Sequence, residues 1–107
     1  MSHRSVIVAK IKPGSQQEVA EIFGKSDATS LPREIGVTGR SLYTLDDVYL
    51  HILEFGVEAG PALNAARDMP AFQQISDDLR PFISPYNPAT WRGPQDAMAA
   101  EFYRWRA

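Results

Sequence analysis

Apolar positions along this chain change period several times, and each change marks an element. Residues 5–12, SVIVAKIK, are rich in β-branched side chains and stop at Pro13-Gly14, the pattern of a strand running into a turn. Both of its faces carry apolar residues. Ser15 with Glu18 three residues later has the form of a capping box, and Val19, Ile22 and Phe23 then recur at helical spacing. This predicts a helix from residue 16 to residue 23 or slightly beyond. Gly24-Lys25-Ser26 reads as its stop, and residues 27–32 as a loop, because a residue before proline is biased away from helix.

Two strands follow over 35–44 and 47–55, and their join at Leu45-Asp46 has room only for a hairpin. With that loop Thr44 pairs with Asp47, and Arg40 stands directly opposite His51. A two-residue slip in register leaves both on one face, whereas a loop of odd length separates them. Their face also carries Leu42, Tyr49, Leu53 and Phe55, and the other carries Val37, Tyr43, Val48, Leu50 and Ile52. Neither face is patterned for solvent, so helices cover one, and a second subunit or a cavity is expected to cover the rest.

From Gly60 the pattern is helical to Arg67. It resumes after Asp68, a candidate cap, with Pro70 in the first turn and a stripe of Phe72, Ile75, Ser76 and Leu79. In PFISPYNPATWRGPQ, prolines 81, 85, 88 and 94 predict a long irregular loop. The aromatic run over 99–106 reads as the last strand. Strand, helix, hairpin, helices, strand is the βαββαβ order of an α+β, ferredoxin-like sheet, expected as one domain over 1–107.

Composition narrows the function by exclusion. A net charge of -2 with no Lys/Arg cluster leaves no electrostatic footprint for nucleic acid. Cysteine is absent, which removes disulfides, thiolate nucleophiles and zinc-thiolate sites and makes a cytoplasmic location the expectation. The apolar stretch from Val6 to Ile11 is too short for a signal peptide or a membrane span, so no membrane association is expected. The two histidines, His3 and His51, belong to no metal-ligand spacing, and neither a G-x-S-x-G elbow nor a phosphate-cradling glycine loop occurs. No metal and no cofactor are expected.

What remains is Arg40 facing His51, flanked by Tyr49 and apolar residues, with Asp27 on the loop leaving the first helix. Such a set suits proton abstraction beside a carbonyl: an imidazole as base, a guanidinium for the enolate or alkoxide oxygen, and Asp27 to orient the pair. On spacing alone, a cross-strand polar pair at a subunit interface has at least even standing. Trp91, between prolines of the long loop, is a lid or a staple that fastens that loop, and the staple is the commoner reason for such a residue.

The stretches DATSLPREIGVTGRSLYTLDDVYLHILEF and FISPYNPATWRGPQDAMAAEFYRW resemble the tetracenomycin F2 cyclase and spore-pigment cyclase family of aromatic polyketide pathways. The likeness is colinear over nearly the whole chain. It implies a homodimeric α+β barrel of ferredoxin-like subunits and a cofactor-free, lyase-type enzyme. The expected reaction is regioselective aldol cyclisation and dehydration of a poly-β-ketone or partly cyclised intermediate, free or tethered to a carrier protein, in the company of polyketide synthase components. Carried over by position, the catalytic candidates are His51, Arg40 and Asp27. The substrate-binding candidates, read from the pattern around them, are Tyr49, Leu42, Leu53, Ser26 and Trp91. That family's pattern has a histidine before the loop aspartate, where this chain has Ser26. The rival readings are a cofactor-free, quinone-forming monooxygenase on the same fold and a non-catalytic subunit that shapes the chain within a synthase complex.

Overall fold

Strand β1 (His3–Ile11) takes a central place in a four-stranded sheet because it finds partners on both edges, β3 along most of its length and the short β4 at its far end. The computed structural model describes residues 3–92 and 94–107. The elements run β1, α1 (Gln16–Asp27), α2 (Leu31–Ile35), β2 (Val37–Leu45), β3 (Val48–Phe55), α3 (Ala59–Ala66), α4 (Pro70–Leu79), β4 (Ile83–Pro85) and a 3-10 turn over Pro94–Ala97. The sheet order is β2-β3-β1-β4 with every neighbouring pair antiparallel, the ferredoxin-like arrangement expected. Among the described residues no helix is long and apolar enough to cross a membrane.

The turn after β1 is closed by the Ser15 N–H on the Lys12 carbonyl at 3.2 Å, with Gly14 at φ +80° where a side chain would strain. The Ser15 hydroxyl is turned back onto the same carbonyl, to which it donates at 2.6 Å, and it accepts no bond from the first turn of α1, so the predicted capping box does not form. Helix α1 runs through Gly24 and Lys25 to Asp27, further than the stop signal indicated. Val19, Phe23 and Ser26 form one buried stripe, and its packing outweighs the roughly 1 kcal/mol that a helical glycine costs. The Thr29 hydroxyl then donates to the Ser26 carbonyl at 2.6 Å and the chain turns into α2. The loop expected over 27–32 therefore contains a helix start: Pro32 lies in the first turn, where a missing N–H forfeits no bond. Gly36 ends α2 at φ +95°, with its Cα face against Val57.

The hairpin closes one residue later than expected. Leu45 pairs with Val48, Asp46 takes φ +55°, and the Asp47 carbonyl accepts the Ile11 N–H at 2.9 Å. Aspartate tolerates the left-handed region far better than Leu45 would, and this tie to β1 fixes Asp47 in the turn. Arg40 consequently stands opposite Leu53, and His51 opposite Leu42, but the slip is by two residues and Arg40 still shares a face with His51. A bulge between Val37 and Gly39 inserts one extra residue, which moves Val37 to the Arg40 face rather than the predicted opposite one.

The largest departure is at the C-terminus. The fourth strand is Ile83–Pro85, inside the proline-rich loop, where an edge position lets Pro85 end the ladder. Among the described residues the aromatic run expected as a strand meets β1 only at its start, through the Ala99 N–H on the Val6 carbonyl beside the Ile7–Met98 bridge. Beyond it Phe102, Tyr103 and Trp105 are largely exposed.

Helices cover one side of the sheet. Ala9, Ile11 and Tyr49 meet Val19 and Phe23 of α1, with Ile75 and Leu79 of α4 packed against them. On the other side Val6, Val8, Leu50 and Ile52 are half-buried and Tyr43 is exposed.

Candidate active site

A cavity of about 370 Å³ lies between the sheet and the helices, of a size that takes a small organic ligand. Its floor is Ile7, Ala9, Tyr49, His51 and Leu53, and its walls include Phe23 and Ser26 of α1, Leu31 and Pro32 of α2, and Phe72, Ile75, Ser76 and Leu79 of α4. The lining is mainly apolar, and its polar members are Arg40, His51, Tyr49, Arg80 and three serines.

Arg40 organises the polar corner. Its Nε and Nη2 donate to the Asp27 carboxylate at 2.9–3.2 Å in a bidentate pair, and Nη1 lies 2.8 Å from His51 Nε2. The guanidinium also lies over the Phe23 ring, 4.6 Å from its centroid, and Phe23 meets His51 edge-on at 4.9 Å. Two elements make this possible. Running α1 on to Asp27 brings the carboxylate above β2, and the even slip of the hairpin keeps Arg40 and His51 side by side.

His51 is 7% exposed. Burial first, and the neighbouring Arg40 charge second, lower its pKa from 6.5 to about 3, so the ring is neutral throughout the physiological range. A proton-accepting role would need a lone pair on the ring. A guanidinium has donors and no acceptor, so the lone pair on Nε2 is already taken by Arg40. Burial likewise raises the Tyr49 phenol well above its ordinary pKa, against a smaller opposing effect of Arg40, and Tyr49 stays protonated.

The other candidates divide. Tyr49, Leu53, Ser26 and Trp91 line the cavity; Leu42 does not, packing against the core cluster, and Asp27 reaches the cavity only through Arg40. The Ser26 hydroxyl is sealed from solvent and has no hydrogen-bond partner among the described residues. Trp91, still 41% exposed, lies at the rim. The α4 contribution of Phe72, Ile75, Ser76 and Leu79 was not assigned to the site from sequence, although the one polar member of that stripe was its visible signal.

A family profile described as polyketide synthesis cyclase matches residues 3–106. The chain belongs to this family. Polyketide synthase CurG of Streptomyces cyaneus is 43% identical over 103 residues, covering 96% of this chain and 96% of that protein. Tetracenomycin F2 cyclase of Streptomyces glaucescens is 34% identical over 107 residues, covering 100% and 97%. The solved structure of that protein, described as a type-II polyketide cyclase, matches with a TM-score of 0.91 at 33% identity over 98% of both chains. SnoaB, a cofactor-independent oxygenase of Streptomyces nogalater, matches with a TM-score of 0.59 at 20% identity over 78% of this chain and 84% of that one, a likeness of fold alone. As a member of the polyketide cyclase family the chain is an enzyme, and its cavity is where that chemistry is to be sought.

Proposed function

We propose that this cyclase takes a poly-β-ketone or partly cyclised intermediate into the cavity and directs one intramolecular aldol closure, followed by loss of water. The observation that carries the reading is the Asp27–Arg40–His51 array on the wall of an otherwise apolar cavity. A methylene between two carbonyls enolises readily, so the site needs no strong base. Its task is to hold the enol carbon against one particular ketone and to stabilise the oxygen on which charge develops. Arg40 has five N–H groups. Asp27 and His51 engage three of them, and the remaining donors on Nη1 and Nη2 are free to meet that oxygen among the described residues. Tyr49, Leu53 and Trp91 contact the substrate, Ser26 forms part of the wall, and the floor of sheet side chains selects the fold of the chain.

A homodimer belongs to the same reading. The half-buried face bearing Val6, Val8, Leu50, Ile52 and Tyr43 is apolar, and a second copy of the sheet would cover it. A substrate carried by a synthase partner is compatible with the rim position of Trp91.

The test is product analysis with a linear or partly cyclised polyketone under air and under argon. The expected result is one dehydrated, regiochemically uniform product, formed equally in both. Oxygen-dependent product would move the assignment to a quinone-forming oxygenase, and a mixture identical to the uncatalysed one would make the protein a non-catalytic subunit.

A further inference from the structure

We infer that His51 acts as a neutral hydrogen-bond donor that presents Nδ1–H to the oxygen of the attacked ketone beside Arg40, and that the guanidinium of Arg40, anchored by the positioning residue Asp27, locks this tautomer. The inference rests on the cyclase reading and assigns polarity within that site. Arg40 Nη1 stands 2.8 Å from His51 Nε2, and an arginine cannot accept a hydrogen bond. A proton on Nε2 would set N–H against N–H at that distance. The single proton of the neutral ring is therefore on Nδ1.

The guanidinium cannot turn to relieve this arrangement. Its Nε and Nη2 are held by both oxygens of Asp27, and its flat face lies over Phe23. Phe23 also meets the edge of the imidazole, so one aromatic ring fixes the orientation of both partners. Nδ1 makes no hydrogen bond to a described residue, and the one sealed, unpartnered polar atom among them is Ser26 Oγ. The ring that carries Nδ1 lines the cavity. Arg40, Tyr49 and Arg80 are the other ionisable side chains that line the cavity, and none of them is a carboxylate that would hold the Nδ1 proton.

In the reaction, the enol carbon forms the new C–C bond as the π electrons of the attacked C=O move onto its oxygen. The enol hydroxyl proton passes to water, and the new alkoxide takes a proton from water. His51 keeps its own proton throughout and stabilises the alkoxide from Nδ1.

Two-bond nitrogen–proton NMR correlation of the imidazoles tests the tautomer without substrate, so its failure is separable from that of the cyclase reading. A His3→Gln variant leaves His51 as the sole signal. The expected pattern is a neutral ring protonated at Nδ1 and unchanged from about pH 8 to about pH 5; an Nε2–H or cationic pattern overturns the inference. In product formation, His51→Asn retains an N–H donor near Nδ1 and is expected within about tenfold of the native enzyme, while His51→Ala loses about 10²–10³-fold. Equal loss in both variants, or a kcat/KM that falls with protonation near the ordinary histidine range, also overturns it.

Discussion

Lowering the pH from about 7 to about 5 is expected to weaken the fold by about 2 kcal/mol through His51 alone. In the folded protein its pKa is lowered from 6.5 to about 3, chiefly by burial. The unfolded chain takes up that proton as the pH falls below 6.5, and the folded chain does not until it approaches 3. The contribution is thus complete above the unfolded value and is lost progressively as pH falls, at about 1.4 kcal/mol per unit. Over the whole window the loss is of the order of 5 kcal/mol, comparable with the entire stability of a small domain.

Other groups also change charge between these pH values, so the measurement is a difference of differences. Urea unfolding of the native protein and of His51→Gln at both pH values, at equal protomer concentration, isolates the imidazole. The native protein should lose about 2 kcal/mol more than the variant. An equal loss in the two would show that the buried ring is not held neutral, and the electrostatic account of the site would fall with it.

Four other outcomes follow from the same geometry. Ser26→Ala removes a sealed hydroxyl that lacks a partner among the described residues, so unfolding should show a gain of about 1 kcal/mol; a less uniform product from the variant would show that the hydroxyl turns to the substrate. Gly36→Ala forces a side chain onto φ +95° with its Cβ 2.8 Å from Val57 Cγ2, and should cost about 1–3 kcal/mol in denaturant unfolding. Arg40→Gln keeps a polar side chain but lacks the fork that meets Asp27, and kcat should fall about 10²–10³-fold with a smaller change in KM. Ile52→Lys puts a charge on the apolar sheet face proposed as the dimer contact, and sedimentation should report a dimer for the native chain and a monomer for the variant.

The sheet was readable in sequence where periodicity alone decides it. β1, β2, β3 and the α4 stripe lie where their patterns put them. Hairpin parity survived a wrong loop position because a slip of two preserves the face, and so Arg40 and His51 stayed together. Pairing partners were not readable. The aromatic run near the end has strand propensity but among the described residues meets β1 only at its start, while three residues between prolines fill the edge of β1 instead. Propensity describes one chain segment, and a strand needs an edge to join.

The site shows the same division at the level of single atoms. Residue types and their shared face pointed to an acid–base pair, and the natural assignment made the imidazole the base. That assignment depends on which group sits next to Nε2. Arg40 opposite His51 or two residues away looks the same in sequence, yet a guanidinium nitrogen 2.8 Å from Nε2 decides where the ring's one proton must be. The continuation of α1 to Asp27 decides that the guanidinium is held there, and this hinged on Ser26 adding a turn to a buried stripe that Gly24 had seemed to end. Burial then keeps the ring neutral, which a solvent-exposed pair of the same residues would not be. Donor or base is thus a consequence of packing one helix turn further, and the distinction that matters most to the mechanism was set by the feature the sequence left least visible.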